Sequence, residues 1–598
     1  MTNNPTNVTQ DFIFGTMATD DLRLAALQAQ GRGVHHGHDI TPVDPEPEQP
    51  VQLRVRVGTE VSADAVTAYY TLDGSDPTTE SARIELERGE VLWDTLLWGY
   101  RQVWLGMIPP QPAGTLVRYR IVAATRTGRQ AWADPDPLTG EPAIFAYHVD
   151  RERVPDWIRD AVIYHVFVDR FNPGAGRSWH VAQSLGAIWG GTLRGVIEKL
   201  PYLQELGVNC LWLSPVFPSP THHGYDATDY LHVEPRLGTD DDLRELFAAA
   251  HERGMRVLLD YVANHLSDEH PAFQRAISDP DAPERAWFTF EQWPARYRSF
   301  FGVRSMPQIN NESPGARDYI IGAARYWLEQ GADGFRLDYA NGPSHGFWTH
   351  FRAATRALKP GSFTVGEIVE TAELQRSYQG RLDGVLDFLL LQHMRAFFAF
   401  ETIDTSAFDS FLRRHLAYFP GDFVLPSFLD NHDMNRFLWV VGGDVRRLKL
   451  AALCQFTLPH PPIIYYGTEV GLNQTHDLEY PDGSRRMEEA RGPMLWGAEQ
   501  NGDVLQFYTQ LIALRRQHPA LWRGARRALA LHDAGLYVVA IESAAGSAIV
   551  ALNRSGVAQQ VALSGDLPLA LRTETGVDYQ GQQLTLPPCS GALFVAGS

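Results

Sequence analysis

Between about residues 155 and 515 the chain alternates short apolar runs with longer helical patterns, and this alternation narrows the fold more than any other feature. The short runs are AVIYHVFV (from 161), NCLWLS (209), RVLLDYV (256), DGFRLD (333), FTVGEI (363), DGVLDF (383), FVLPSFLD (423) and PIIYYG (462). Helical stretches such as DLRELFAAAHERG and ARDYIIGAARYWLEQG lie between most of them. Eight strands over about 350 residues predict an α/β fold of the (β/α)8 TIM-barrel type rather than an open doubly wound sheet. The third and fourth strands stand about 70 residues apart, too far for a simple βα unit. An inserted subdomain over 266–314 accounts for the gap, so the barrel occupies 155–265 and 315–517.

The flanks have a different texture. Residues 48–150 alternate with period two, as in VQLRVRV and VRYRIVAA, with turn signals between the runs, which predicts an N-terminal β-sandwich. Residues 520–598 return to short strands (LYVVAIES, SAIVALN, QQLTLP, ALFVA) and predict a second, C-terminal sandwich. Residues 1–47 are polar, end in PVDPEPEQP, and read as an extended N-terminal extension.

Composition excludes several classes of partner. Lys and Arg total 52 against 71 Asp and Glu, a net charge of −19, which argues against nucleic acid and anionic membranes, since both need a basic face. No apolar run reaches the roughly 18 residues of a membrane span, and the N-terminus lacks the pattern of a secretory leader. Cys210, Cys454 and Cys589 stand far apart and form neither a metal pattern nor a disulfide framework. A cytoplasmic enzyme is the expectation.

In a parallel barrel the working groups lie where the strands end. Strand three ends in Asp260, Asn264 and His265, strand four in Arg336 and Asp338, and strand five in Glu367. Strand seven ends in Asp430, Asn431, His432 and Asp433. A structural charge network would explain one such motif. Four strand ends aimed at one face point to chemistry, because buried unpaired carboxylates are costly.

These runs carry a family resemblance. LDYVANH (259–265), GFRLDYAN (334–341), VGEI (365–368) and FLDNHD (428–433) resemble, in order, the four signature regions of the α-amylase superfamily, glycoside hydrolase family 13. HGYDATDY (223–230), MPQIN (306–310), YYGTEVGL (465–472) and RGPMLW (491–496) add to the match, which covers about 155–598. The domain order is similar to that of neopullulanases, cyclomaltodextrinases and maltogenic amylases. The sequence departs from that group at Gly342, where Glu is usual, and at FLDNHD.

The resemblance implies roles. Asp338 is the expected nucleophile, with Arg336 two residues earlier on the same strand face to keep it ionised. Glu367 is the expected general acid/base, and Asp433 the third carboxylate, gripping sugar hydroxyls. His265 and His432 are expected to donate hydrogen bonds to the same sugar and Tyr225 to stack on it, while Asp260 orients Arg336 and Tyr225. Asn264 resembles a calcium ligand of many α-amylases, but Asn341-Gly342 stand where Lys-His is usual, which favours a structural hydrogen-bonder. No cofactor is required, and calcium would be a structural ion only.

Other features have plainer readings. The HHGH cluster (His35, His36, His38) reads as a solvated loop, and Trp212, Trp327 and Trp348 as core. Trp287, Trp293 and Tyr297 in the inserted subdomain are candidates for sugar stacking. Trp93, Trp98, Tyr100 and Trp104 fit a carbohydrate-binding module and core packing equally well.

The expected activity is retaining hydrolysis of α-1,4-linked glucan or maltooligosaccharide, with cyclodextrin and pullulan as further candidates and a monomer or homodimer as the state. Glycosyl transfer or isomerisation at the same site is the alternative. A non-catalytic sugar-binding protein is the remote one, because all three carboxylates are present.

Overall fold

The computed structural model describes residues 20–136, 139–174, 176–181, 184–563 and 568–597. Its centre is a parallel sheet whose strands are Ile163–Val166, Cys210–Leu213, Arg256–Val262, Gly334–Asp338, Phe363–Gly366, Gly384–Val385 and Ile463–Tyr465. From the first to the sixth each pairs with the next, and the first also pairs with the last, Ile163 facing both Cys210 and Ile463. The FVLPSFLD run closes the gap through two parallel bridges, Gly384–Val424 and Ser427–Pro462. Its Pro426 has no N–H to give, so the seventh stave is a bridged segment rather than a regular strand. Eight staves therefore form a closed α/β barrel.

The helices follow from local signals. Thr239 and Asp242 form a capping box at the start of helix Asp240–Glu252, whose first turn is acidic. Helix Leu193–Leu206 is capped by Thr192 and stops at Gly207, which takes the left-handed φ of 98° that suits glycine. Leu193, Val196, Leu200 and Leu203 on this helix are fully buried in the barrel's outer core.

Between the third and fourth strands the chain forms helix Pro271–Ser278, the short hairpin Phe290–Gln292 with Arg296–Tyr297, and a turn at Phe300–Gly302. A bridge between His265 and Gln308 ties the end of this excursion to the third strand.

The N-terminal sheet has nine strands, and the long strand Ala82–Asp94 makes it a sandwich. Residues 82–86 pair with Ala65–Thr71 in one layer, and 87–94 pair with Gly99–Ile108 in the other. Alternate residues of strand Val51–Val57 are buried, and two of them, Leu53 and Val55, join Ala68, Ile121 and Phe145 in filling the space between the layers. The segment before residue 48 is not merely extended: Asp20–Arg32 is helical, and Val34–His35 and Ile40–Thr41 join the sheet beside Val51–Val57.

The HHGH cluster is also not a solvated loop. His36 is buried, with its ring nitrogens against Arg54 O and Tyr119 Oη at 2.8 Å each, and His38 stacks on His345 of the barrel at 3.8 Å. Trp104 is buried, whereas Trp93, Trp98 and Tyr100 are 50%, 82% and 69% exposed. The C-terminal sandwich packs a five-stranded on a three-stranded sheet over Val538, Ala551, Leu584 and Phe594. No helix among the described residues is long and apolar enough to cross a membrane.

Candidate active site

Arg336 lies inside the barrel mouth with no solvent exposure, and three acids meet it. Its Nη1 donates to Asp260 Oδ1 and Asp338 Oδ1 at 2.8 Å each, and its Nη2 lies 2.7 Å from Glu367 Oε1. Strand alternation explains the convergence. Arg336 and Asp338 face the same way, and Asp260 pairs in register with Arg336. Glu367 follows directly on the fifth strand, and its Oε2 accepts from Tyr339 N at 3.1 Å. Tyr339 sits at φ 39°, an unusual value for a side chain of this size, immediately after Asp338.

The second half of the site comes from the seventh stave. His432 Nε2 lies 3.0 Å from Asp433 Oδ2, and Arg491 donates Nη2 to Asp433 Oδ1 at 2.9 Å and Nε to His432 O at 2.7 Å. Tyr225 joins the two halves. Its hydroxyl donates to Asp260 Oδ2 at 3.0 Å, lies 2.5 Å from His432 Nε2, and its ring stacks parallel to that of His432. The Trp212 indole also donates to Asp260 Oδ2, at 3.0 Å. His265 stacks on Phe300 at 4.4 Å. All eight expected catalytic and sugar-binding residues thus lie at one barrel mouth.

Four carboxyls, Asp260, Asp338, Glu367 and Asp433, share two guanidiniums, Arg336 and Arg491. Burial raises the pKa of Glu367 most, Arg336 opposes it, and the Asp433 charge raises it further. Burial lifts Asp338 as well, against Arg336, with Glu367 adding to the rise. The buried pair thus retains a proton at higher pH than two free carboxyls would. Asp433 goes the other way: burial pushes it up, but His432 and Arg491 hold it well below the usual carboxylate range. Burial lowers the His265 imidazole to about 3, so the ring is neutral at physiological pH.

Asn264 lies beside this network. Its Oδ1 accepts from Gln308 Nε2 at 3.1 Å, its backbone carbonyl accepts from Ile309 N at 2.9 Å, and its Nδ2 lies 3.1 Å from His265 Nδ1. Gly342 packs so closely that a Cβ there would sit 2.0 Å from Asn264 Oδ1. Among the described residues no group of three or more His, Cys, Asp or Glu side chains has the arrangement of a metal site.

The aromatic rim differs from the sequence expectation. Trp287 packs on Tyr319, Tyr297 packs on Phe273, and Trp293 donates to Ala276 O, so all three are engaged in building the inserted subdomain. Phe300 and Phe301 stand over the site instead, with ring centroids 5.0 and 5.3 Å from that of Tyr339. No role falls to the two phenylalanines or to Arg491 from the sequence alone. The signals were the paired aromatics in RSFFG and the arginine opening RGPMLW.

Paired carboxyls of opposed proton affinity are the equipment of glycoside hydrolases, the class to which the names of this chain's relatives belong. The chain belongs to the α-amylase family, because the family's catalytic-domain model ("Alpha amylase, catalytic domain") matches residues 165–503, more than half its length. It is 34% identical to Alpha-amylase 2 of Dictyoglomus thermophilum over 86% of this chain and 87% of that protein. It is 35% identical to Neopullulanase 2 of Thermoactinomyces vulgaris over 76% of this chain and 81% of that one. Among solved structures, a cyclomaltodextrinase superposes with a TM-score of 0.67 at 27% identity, covering 94% of this chain and 99% of that one.

Proposed function

We propose that this protein hydrolyses α-1,4-glucosidic bonds of maltooligosaccharides and starch-type glucans with retention of configuration. The observation that carries the reading is the single guanidinium of Arg336 touching both Asp338 and Glu367. Two carboxyls held by one fork favour the short separation of retaining enzymes, about 5–5.5 Å, over the wider gap that admits water in inverting ones. Asp338 attacks the anomeric carbon as the glycosidic bond breaks, and Glu367 gives its proton to the leaving oxygen. Glu367 then takes a proton from water, which attacks the same carbon and releases Asp338. Asp433, kept ionised by Arg491 and His432, binds ring hydroxyls and stabilises positive charge at the anomeric centre.

The reading needs no cofactor. The Asn264 oxygens already accept from Gln308 and Ile309, so the residue fits a structural hydrogen-bonder better than a calcium ligand, and no step is routed through a metal. The three buried free cysteines fit a reducing cytoplasm. The names of relatives add cyclodextrin and pullulan to the substrates worth testing.

The experiment is product analysis on amylose, maltotriose, pullulan and β-cyclodextrin, with Asp338→Asn and Glu367→Gln as controls. Each variant is expected to lose roughly 10²–10⁴-fold in kcat. Undiminished hydrolysis in both would refute the assignment, and larger oligosaccharides accumulating from maltose would favour glycosyl transfer.

A further inference from the structure

The barrel's N-terminal face, opposite the mouth that carries Asp338 and Glu367, holds a separate cavity of about 430 Å³. Its walls come from residue 159 ahead of the first strand, helix Thr405–Tyr418, the entries to the seventh and last staves at 421–424 and 459–461, and the start of the C-terminal sandwich. Arg159, Arg413, Arg523 and Arg526 line it, although the chain carries a net charge of −19. Arg523 pairs with Asp160 at 2.5 Å and Arg413 with Asp409 at 2.8 Å. Among the described residues Arg159 and Arg526 pair with no carboxylate. They reach backbone carbonyls instead, of Gly421 at 3.2 Å and Thr457 at 2.7 Å.

A further cation stands behind them. Arg515 is buried, and its guanidinium donates to the carbonyls of Phe456, Leu458 and His460. Burial, then the nearby Arg523, lower its pKa to about 9, with Asp160 opposing. The cluster thus carries more positive than negative charge in a partly enclosed space, which attracts an anion. Leu416, Val424 and Pro461 give the same cavity an apolar wall.

We propose that this cavity binds a small organic phosphate, its phosphate gripped by Arg159, Arg523 and Arg526 and its body resting on Leu416, Val424 and Pro461. Guanidinium forks match phosphate oxygens in geometry and charge, and the volume falls in the range of small-molecule sites. The ligand would bridge the barrel floor and the C-terminal sandwich and stabilise their joint by mass action. The inference is independent of the hydrolase reading, because its readout is binding.

The test follows thermal unfolding of the full chain with inorganic phosphate, glucose 1-phosphate, AMP or sodium chloride at matched ionic strength, with isothermal titration for stoichiometry. Expected are one site per chain and a rise in midpoint of about 1–2 °C for glucose 1-phosphate or AMP, larger than for inorganic phosphate and absent with chloride. Which organic phosphate binds tighter distinguishes a sugar phosphate from a nucleotide. Arg526→Gln should weaken binding roughly tenfold. Arg413→Gln, which removes one positive charge at a side chain 64% exposed, should weaken binding by a smaller factor while leaving glucan hydrolysis unchanged. A rise that chloride reproduces, inorganic phosphate binding as tightly as the organic ones, or affinity unchanged in both variants would overturn the proposal.

Discussion

Asp433 has both carboxylate oxygens engaged, one by His432 and one by Arg491, and its low pKa rests on those two contacts working against burial. Arg491→Gln removes one of them. The Asp433 pKa then rises, and activity that needs the ionised form disappears at a higher pH as the solution is acidified. A kcat/KM profile should show the acid limb displaced upward and a loss on the order of 10²-fold at the optimum. An unmoved acid limb would count against this role for Arg491. Gly342→Ala is predicted to displace Asn264, and through it Gln308 and His265, at about 1–3 kcal/mol of stability measured by denaturant unfolding. The strand-end residues were legible in sequence because alternation on a strand fixes which side chains share a face. Arg491 was not, because it approaches Asp433 from a loop 58 residues further on, where no periodicity records direction.

At the level of elements, the turn Phe300–Gly302 places an exposed ring at the site's edge, with Phe301 at φ 47° and 62% exposed. A ring that stacks on sugar alike in the ground and transition states changes KM and not kcat. Phe301→Ala should therefore raise KM by about 2–10-fold on maltooligosaccharides with kcat nearly unchanged, while a matching fall in kcat would assign the ring a different part. The barrel's staves were readable from their apolar runs, and the seventh was the exception. Its Pro426 breaks the ladder, so the run marks the correct position in the ring without forming a continuous strand. A spacing too long for one βα unit pointed to extra chain between the third and fourth strands, and elements of its own stand there. Which of its aromatics face the site was not, because Trp287, Trp293 and Tyr297 satisfy core and surface roles with the same residue types.

Over the whole molecule, the core of the N-terminal sandwich and its seam with the barrel hold neutral imidazoles. Burial lowers His36 to about 4, and burial places His38 and His345 well below their ordinary value, with Arg381 adding to the effect at both. Unfolded imidazoles bind protons near pH 6.5, whereas these stay neutral until much lower pH. The stability they contribute is complete above about pH 6.5 and is lost progressively toward pH 4. Thermal midpoints measured across that window should fall as the pH drops, and a flat profile would contradict the assignment. One contact across the seam reaches further than stability. Arg118 of the sandwich grips Glu312 at the end of the inserted subdomain, and Glu312 in turn accepts from Ser344, which caps the helix following Tyr339 and Gly342. Trimming the chain to its barrel would thus leave a catalytic loop without its outermost anchor. The sandwich thereby bears on the ground next to the acids through a relay of three side chains.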